Sequence, residues 1–479
     1  MPFESWSDRK ASRSQGSLFL SHAALPKSEG HPYYTKLNEV LACIDFDRQV
    51  EAKCEPFYAD GAKGGRPGVA PGVYFRMLLI GFLEGIDSER GIAWRVRDSL
   101  SLREFLGYGL ADATPNHCTL SVIRHRLDVA AHHWAFELVL ATMVKAGLIN
   151  GQDLGIDATT LEANAAMRSI VRRDTGEGYD DFLNELVKAE DGIDDPTRKD
   201  RAKKDRNRPK KGSNKEWKHP HDPDARIAKM KDGSTHMAHK AEHVIDLEGD
   251  GAIVGLSLHH ADQGDTTTGI KSLEDAFNHL STAIETINGA ELPDGLARSL
   301  TEDAGYHSDK VLEDLESRGI KAYVCEPDRE GGRKWKGKRD AASRQRRLYR
   351  NRRRNESARG KALQKSRVEL NERSNAHLYE TGAMRRTHLR HHANILKRLI
   401  VHAAGFNLMI LMRRMFGVGK PRVMQGGAAA LSAALRSLVV AITRLWELRL
   451  ASETVGQAIW RSWSPNHRAG LWLTRGRGT

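Results

Sequence analysis

Three acids stand where a fold could bring them together. Asp157 closes one short apolar run and Asp303 closes another, while Glu372 sits in the helical stretch Arg367-Val368-Glu369-Leu370-Asn371-Glu372-Arg373-Ser374. Carboxylate oxygens are hard donors that suit Mg²⁺, an ion usually held by one or two carboxylates together with waters and phosphate oxygens. Two such ions roughly 3.5–4 Å apart activate a nucleophile and stabilise a leaving oxygen in phosphodiester chemistry. Without a cation, clustered carboxylates repel one another and resist ionising, so the same triad calls for bound metal. Glu369, three residues before Glu372 and on nearly the same helix face, is the alternative third ligand.

The elements that must position these acids can be read from hydrophobic period. Asp153–Asp157 reads as a short buried strand, with a helix-compatible run after Thr160. The alternating stretches 236–246 and 252–258 flank the turn Glu248-Gly249-Asp250-Gly251 and predict a β-hairpin. A helix is expected over 268–287, a strand from Ala297 to Glu302, a helix from Ser308 to Ser317 ended by Gly319, and a last strand from Ala322 to Cys325. A long helix through Ile395, Leu399, Ala403, Phe406 and Met409 should pack on this sheet. Strands alternating with helices imply a mixed α/β layer arrangement.

Before it, residues 33–150 show helical spacing throughout, as in Tyr74, Met77, Leu78 and Phe82, and predict an all-helical domain. In that domain Thr114 and Pro115 look like the N-cap and first position of a helix carrying Arg124, His125 and Arg126. Such a helix is a candidate for a DNA groove or simply an amphipathic bundle helix with a solvated basic face. Residues 1–32 read as a poorly ordered arm and 417–479 as a helical appendix. Within the α/β part, 168–231 and 329–360 read as basic insertions, the first of them an insertion or loop that is mobile in the absence of DNA.

The chain has 479 residues and a formal net charge of +13, a balance that attracts polyanions. Placement is more telling than the total. From Arg329 to Arg359 there are fourteen Lys or Arg against Glu330, Asp340 and Glu356, with Trp335 and Tyr349 interleaved, a pattern suited to nucleic acid. Cys43, Cys54, Cys118 and Cys325 form no C-x-x-C pair, so neither a disulfide framework nor a structural zinc site of that kind is indicated, and a reducing cytosol fits. No export signal, membrane span or Walker-type phosphate loop is read, so ATP dependence is not expected. His236, His239 and His243 lie on one alternating stretch and are not expected to converge on zinc. His307 is a candidate either for placing a DNA end or for capping the next helix.

Three blocks, IDATTLEANA around Asp157, TEDAGYHSDKVLEDLESRGIKAYV around Asp303 and NERSNAHLYETGAMRR around Glu372, resemble the acidic blocks of DDE-type bacterial insertion-sequence transposases. The resemblance extends to residues 33–128, the hairpin HMAHKAEHVIDLEGDGAIV, the tract YRNRRRNESARGKALQKSR and the closing helix ILKRLIVHAAGFNLMILMRR. It implies an RNase H-like core with Asp157 on its first strand, Asp303 after a later strand and Glu372 on the following helix, all binding Mg²⁺, for which Mn²⁺ would substitute. It further implies metal-dependent cleavage at element ends, strand transfer by the new 3′-OH, partners in terminal inverted repeats and target DNA, and at least a dimer on DNA. Arg373, and with it Arg385, Arg386, Arg390, Arg350, Arg353 and Arg124, become candidate DNA contacts. The family usually carries an aromatic residue after Glu-Arg-Ser, where this chain has Asn375. The alternatives are a nuclease of the same fold without strand transfer, an inactive DNA-binding derivative, and an RNA-binding protein.

Overall fold

The computed structural model describes residues 30–58, 68–208, 213–230, 233–286, 296–328, 335 and 340–422. The expected N-terminal arm, nearly all of the C-terminal appendix and most of the tract 329–339 lie outside the described residues.

The first part is helical, as its spacing predicts: α1 (Pro32–Cys43), α2 (Phe46–Cys54), α3 (Pro71–Glu84), α4 (Glu89–Asp98), α5 (Leu100–Phe105), α6 (His117–Arg126) and α7 (Val129–Lys145). Polar side chains open five of them by accepting an orphan backbone N–H, the first being His31 at α1. Ser88 caps α4, Ser99 caps α5 and Asp128 caps α7. For α6 the cap is Asn116, whose Oδ1 takes Thr119 N at 2.9 Å, so the helix starts later than the Thr114-Pro115 signal implied.

The second part is built on β1 (Asp153–Glu162), followed by an inserted unit of β2 (Val171–Arg172), α8 (Tyr179–Asp191), α9 (Arg198–Asn207) and β3 (Trp217–Lys218). Next come β4 (Arg226–Lys229), β5 (Thr235–Asp246), β6 (Ile253–His260), α10 (Asp265–Thr286), β7 (Ser299–Glu302), α11 (Asp309–Ser317) and β8 (Lys321–Val324). Three helices close the described chain: α12 (Ala341–Glu356), α13 (Ala358–Asn375), which runs into a π-helical turn (Ala376–Thr381), and α14 (His392–Phe416).

The sheet is mixed, in the order β4-β5-β1-β7-β8, with β6 on the same edge of β5 as β4. β5 runs antiparallel to β1, from Leu154↔Asp246 to Glu162↔Ala238. β7 runs parallel to β1, with Asp153↔Ser299, Leu154↔Leu300 and Gly155↔Thr301, and β8 parallel to β7. Both edges are sealed by an asparagine that imitates a neighbouring strand. Asn407 of α14 accepts from Ile253 N at 2.9 Å and donates to its carbonyl at 2.8 Å. Asn351 of α12 does the same for Val324, at 3.1 and 2.7 Å.

A continuous apolar cluster runs from Tyr33 in α1 through the sheet to Val418. The helical part therefore shares its core with the α/β part, mainly because α7 packs on both α10 and α14. Helix α14 is long and apolar enough to cross a membrane, yet 94% of its apolar window is buried inside the protein, as befits a core helix.

Two expectations are corrected. β1 does not end at Asp157; it continues to Glu162 because β5 pairs with it along its whole length. The segment 168–231 is not a plain loop. Tyr179, Leu183 and Val187 recur at helical spacing on α8, and the first two join Ile170, Trp217 and Met237 in a small core of their own, on which the basic helix α9 is mounted.

Candidate active site

The parallel pairing of β1 with β7 determines where the first two acids go. Continued two residues beyond its last pair, Gly155↔Thr301, this register would bring Asp157 level with Asp303, the residue just past the carboxyl end of β7. Adjacent strands lie about 4.8 Å apart, a separation that carboxylates sharing ions can span. Asp303 leaves the strand as the N-cap of a short 3₁₀ turn (Ala304–Tyr306), its Oδ1 accepting from Gly305 N at 2.8 Å. Both aspartates are half-buried, neither sealed in the core nor fully in solvent.

Helix α13 lies across β1 and β7 on the face that carries Asp157. Gly155 permits that approach, since a Cβ there would meet Arg367 Cγ at 3.2 Å and Leu247 Cδ2 at 2.8 Å. Two α13 side chains reach Asp157: Arg367 Nη1 lies 3.8 Å from Oδ1, and Asn375 Nδ2 donates to Oδ2 at 3.3 Å. Between them in sequence, Asn371 is buried with both its side-chain amide atoms unsatisfied, and Asn375 Oδ1 is likewise orphaned. Buried polar atoms are rarely left so unless a water, ion or ligand completes them.

Glu372 and Glu369 are both exposed. At 3.6 residues per turn, Glu372 lies about 60° around the helix from Asn375, on the rim of the face toward Asp157, whereas Glu369 lies about 120° away on the solvent side. The helix therefore favours Glu372 over Glu369 as the third acid. No contact joins Glu372 to either aspartate among the described residues.

Further acids surround this point. Asp265, the first residue of α10, brings Oδ2 to 2.5 Å from where a Gly305 Cβ would stand, a position only 3.1 Å from Asp303 Oδ1. On the opposite face of the sheet Glu242 is fully buried, ion-paired with Lys240 at 2.7 Å and hydrogen-bonded by Ser272 at 2.7 Å and Tyr306 at 3.2 Å. Lys240 also holds Asp265 at 2.6 Å. Glu302 is fully buried with both carboxyl oxygens unpaired, and burial, then the charges of Glu242 and Asp303, push its pKa well above the usual carboxylate range. The same surroundings raise the Tyr306 hydroxyl, through burial first and then Glu242, Asp265 and Asp157. Asp265, Glu242 and Glu302 escaped the sequence reading; an acid and a lysine two apart on a buried strand, Lys240 and Glu242, were the available signal.

Beside Asp157 on β5, His243 is buried, its Nε2 2.8 Å from Ser374 Oγ, and burial lowers its pKa to about 4. It supports α13 as a neutral ring. His307 is buried, and the cap of α11 is Ser308, which accepts Val311 N at 3.1 Å.

The candidate DNA-contacting arginines separate by exposure. Arg124 is a correction: it is buried in the helical part, ion-paired with Glu89, and hydrogen-bonded to Ser121 at 3.1 Å, so it does not face a groove. Val122, His125 and Arg126 form the exposed side of that helix instead. Arg373 donates to the Asp250 carbonyl and is half-buried. Arg350 is ion-paired with Glu316 at 2.6 Å but remains exposed, as does Arg353. Arg385 is paired with Glu380 and lies 3.5 Å from Thr159 Oγ1; Arg386 lies 3.5 Å from Glu162 and is 63% exposed. Glu162 and Arg386 bridge as neighbouring backbones, which puts both arginines at the far end of the strand that carries Asp157. Arg390 is exposed and donates to the Asn164 carbonyl at 3.2 Å.

Residues 24–126 match a family model described as a transposase domain (DUF772). The match covers α1 to α6 and ends before β1, so it supports a transposase family, and with it a DNA-processing enzyme, without reaching the acids of the sheet. No curated protein matches the chain.

Proposed function

We propose that this chain is a DDE-type transposase, with an RNase H-like core that cuts DNA at the ends of an insertion sequence and joins the new 3′-OH to target DNA. The observation that carries the reading is the parallel register of β1 and β7, which, extended by two residues, would bring Asp157 level with Asp303. The arrangement implied by the resemblance, one acid on the first strand and one after a later strand, is supported by Asp157 on β1 and Asp303 after β7, while Glu372 lies on α13, beyond α11, β8 and α12.

The donor set suits a hard divalent ion: carboxylate oxygens at the rim and the orphaned amide of Asn371. Asp157, Asp303 and Glu372 would hold Mg²⁺ or Mn²⁺, which when bound supplies the Lewis acidity that phosphodiester cleavage requires. The chain's own residues do the rest. Arg367 neutralises and orients Asp157, the Gly305 amide fixes Asp303, and the Lys240–Glu242 pair with Tyr306 stiffens the sheet beneath them. Arg385 and Arg386 lie where a phosphate backbone leaving the acids would pass, and α12 offers Arg353 to the same strand. The helical part would recognise the terminal repeats, with two copies of the chain pairing two ends.

The test is incubation of the protein with the DNA that flanks its reading frame, in Mg²⁺ and then with pre-cleaved ends. Nicks at the element ends followed by joined product support the proposal; nicks without joining favour the nuclease. DNA binding with no metal-dependent cut leaves only the inactive derivative.

A further inference from the structure

A second polar cluster lies at the other end of β5. His239 pairs with Leu161 and His260, four residues along the strand from the His243↔Asp157 pair, a distance of about 13 Å. Here three segments far apart in sequence meet: the turn 219–224 before β4, the last residue of β6, and the entry to α14. Asp224, His260 and His392 each present one ligand atom, and these atoms lie within 4.8 Å of one another. Asp222, Asp224 and His391 form an overlapping group of the same size.

Of the ligand atoms, the His392 ring nitrogen is left unspent by hydrogen bonding. His392 Nε2 is buried with no partner, and so is Nδ1 of His239, whose ring stands 5.0 Å from that of His392. His260 Nδ1 lies 2.9 Å from the Asp224 carbonyl oxygen, which makes it the protonated nitrogen, and Nε2 accepts a long hydrogen bond from Arg226 Nη2 at 3.4 Å that a bound ion would displace. Asp224 uses Oδ2 to accept from His392 N at 3.0 Å. Behind them the buried Asp222 accepts from His391 N at 3.2 Å and sits 3.3 Å from His239 Nε2. A histidine or backbone held by a carboxylate behind the ligands is the usual outer shell of a metal site.

We propose that Asp224, His260 and His392 bind one divalent ion of the zinc class, separate from the carboxylate site at Asp157. Two imidazoles and one carboxylate match a borderline ion and select against Mg²⁺, which prefers oxygen throughout. Ligand atoms around tetrahedral zinc lie roughly 3.4 Å apart, so the three close in by about an ångström on binding, with solvent in the fourth place. The ion clamps the start of α14, where His391 has a φ of +69° that a non-glycine residue rarely adopts, to the end of β6 and the turn before β4. Its role is to hold the core helix on the sheet rather than to cut DNA.

The full-length chain, stripped with chelator and titrated with Co²⁺, tests this. One equivalent with the intense visible band of four- or five-coordinate Co²⁺ and imidazole ligation is expected, displaced by Zn²⁺ but not by excess Mg²⁺. Asp157→Ala should keep that band, while His260→Ala and His392→Ala should weaken binding at least tenfold. Should these variants misfold, X-ray absorption on the wild-type Co²⁺ protein decides alone, since imidazole scattering supports the site and an all-oxygen shell refutes it. Absence of any tightly bound Co²⁺, or a band lost with Asp157→Ala, would equally overturn the assignment.

Discussion

Asn375 donates its side-chain amide to Asp157 Oδ2 at 3.3 Å, from the position where transposases resembling this chain usually carry an aromatic residue. The one departure noted in the third acidic block thus lands on the first acid. An amide held there occupies a carboxylate oxygen that the account assigns to metal.

Removing that competitor should therefore help. Asn375→Ala or Asn375→Phe is expected to lower the Mg²⁺ concentration for half-maximal DNA cleavage, by about tenfold if the bond contributes roughly 1.4 kcal/mol. A metal titration of the cleavage rate checks it; an unchanged or raised requirement would mean the amide supports Asp157 rather than competing for it.

The two rim glutamates should behave differently. Glu372→Gln is expected to reduce cleavage by about a thousandfold, equivalent to roughly 4 kcal/mol of lost transition-state stabilisation, while Glu369→Gln stays near the parent rate. Single-turnover cleavage of a labelled DNA end distinguishes them, and the reverse pattern would transfer the role to Glu369.

Sealing of the sheet edge should show in stability. Asn407→Ala leaves the Ile253 N–H and carbonyl without partners, at about 1–3 kcal/mol for each group stranded in the core. Urea denaturation should record a lower midpoint, and Asn407→Asp should fall between, since a carboxylate keeps the acceptor and loses the donor.

Acid should destabilise the protein steeply. Burial holds His132 at about 3, and His133 and His243 at about 4, each far below the ordinary 6.5. Unfolded, these rings take up protons below pH 6.5; folded, they do not. The stability they confer is complete above that pH and is lost as pH falls from about 6.5 toward 4. Thermal melts across this window should show Tm dropping, with the slope reduced in His243→Gln.

Much of the sheet was legible because its signals are local. Glu248-Gly249-Asp250-Gly251 marks the hairpin turn, and the strand before Asp303 and the helix after it each carry their own period. What the sequence hid was pairing. β1 overruns Asp157 because β5 supplies a partner as far as Ala238, which no pattern in IDATTLEANA reveals. Arg124 read as a surface charge because its partner, Glu89, lies on another helix. The inserted unit read as a loop because its lysines and arginines outnumber the few apolar residues, Tyr179, Leu183 and Trp217, that fold it. Of the candidate site, Asp303 could be named from a strand end and Asp157 from the block around it, but the buried Glu242 and Glu302 needed the fold.

The most direct measurement is a double-mutant cycle on Mn²⁺ affinity, with the protein bound to its end DNA, using Asp157→Asn, Asp303→Asn and the pair. If the two side chains share ions, each single change should remove most of the tight binding and the double change should add little, a strong departure from additivity. Independent, additive losses, or full Mn²⁺ binding in either single variant, would contradict a common metal site.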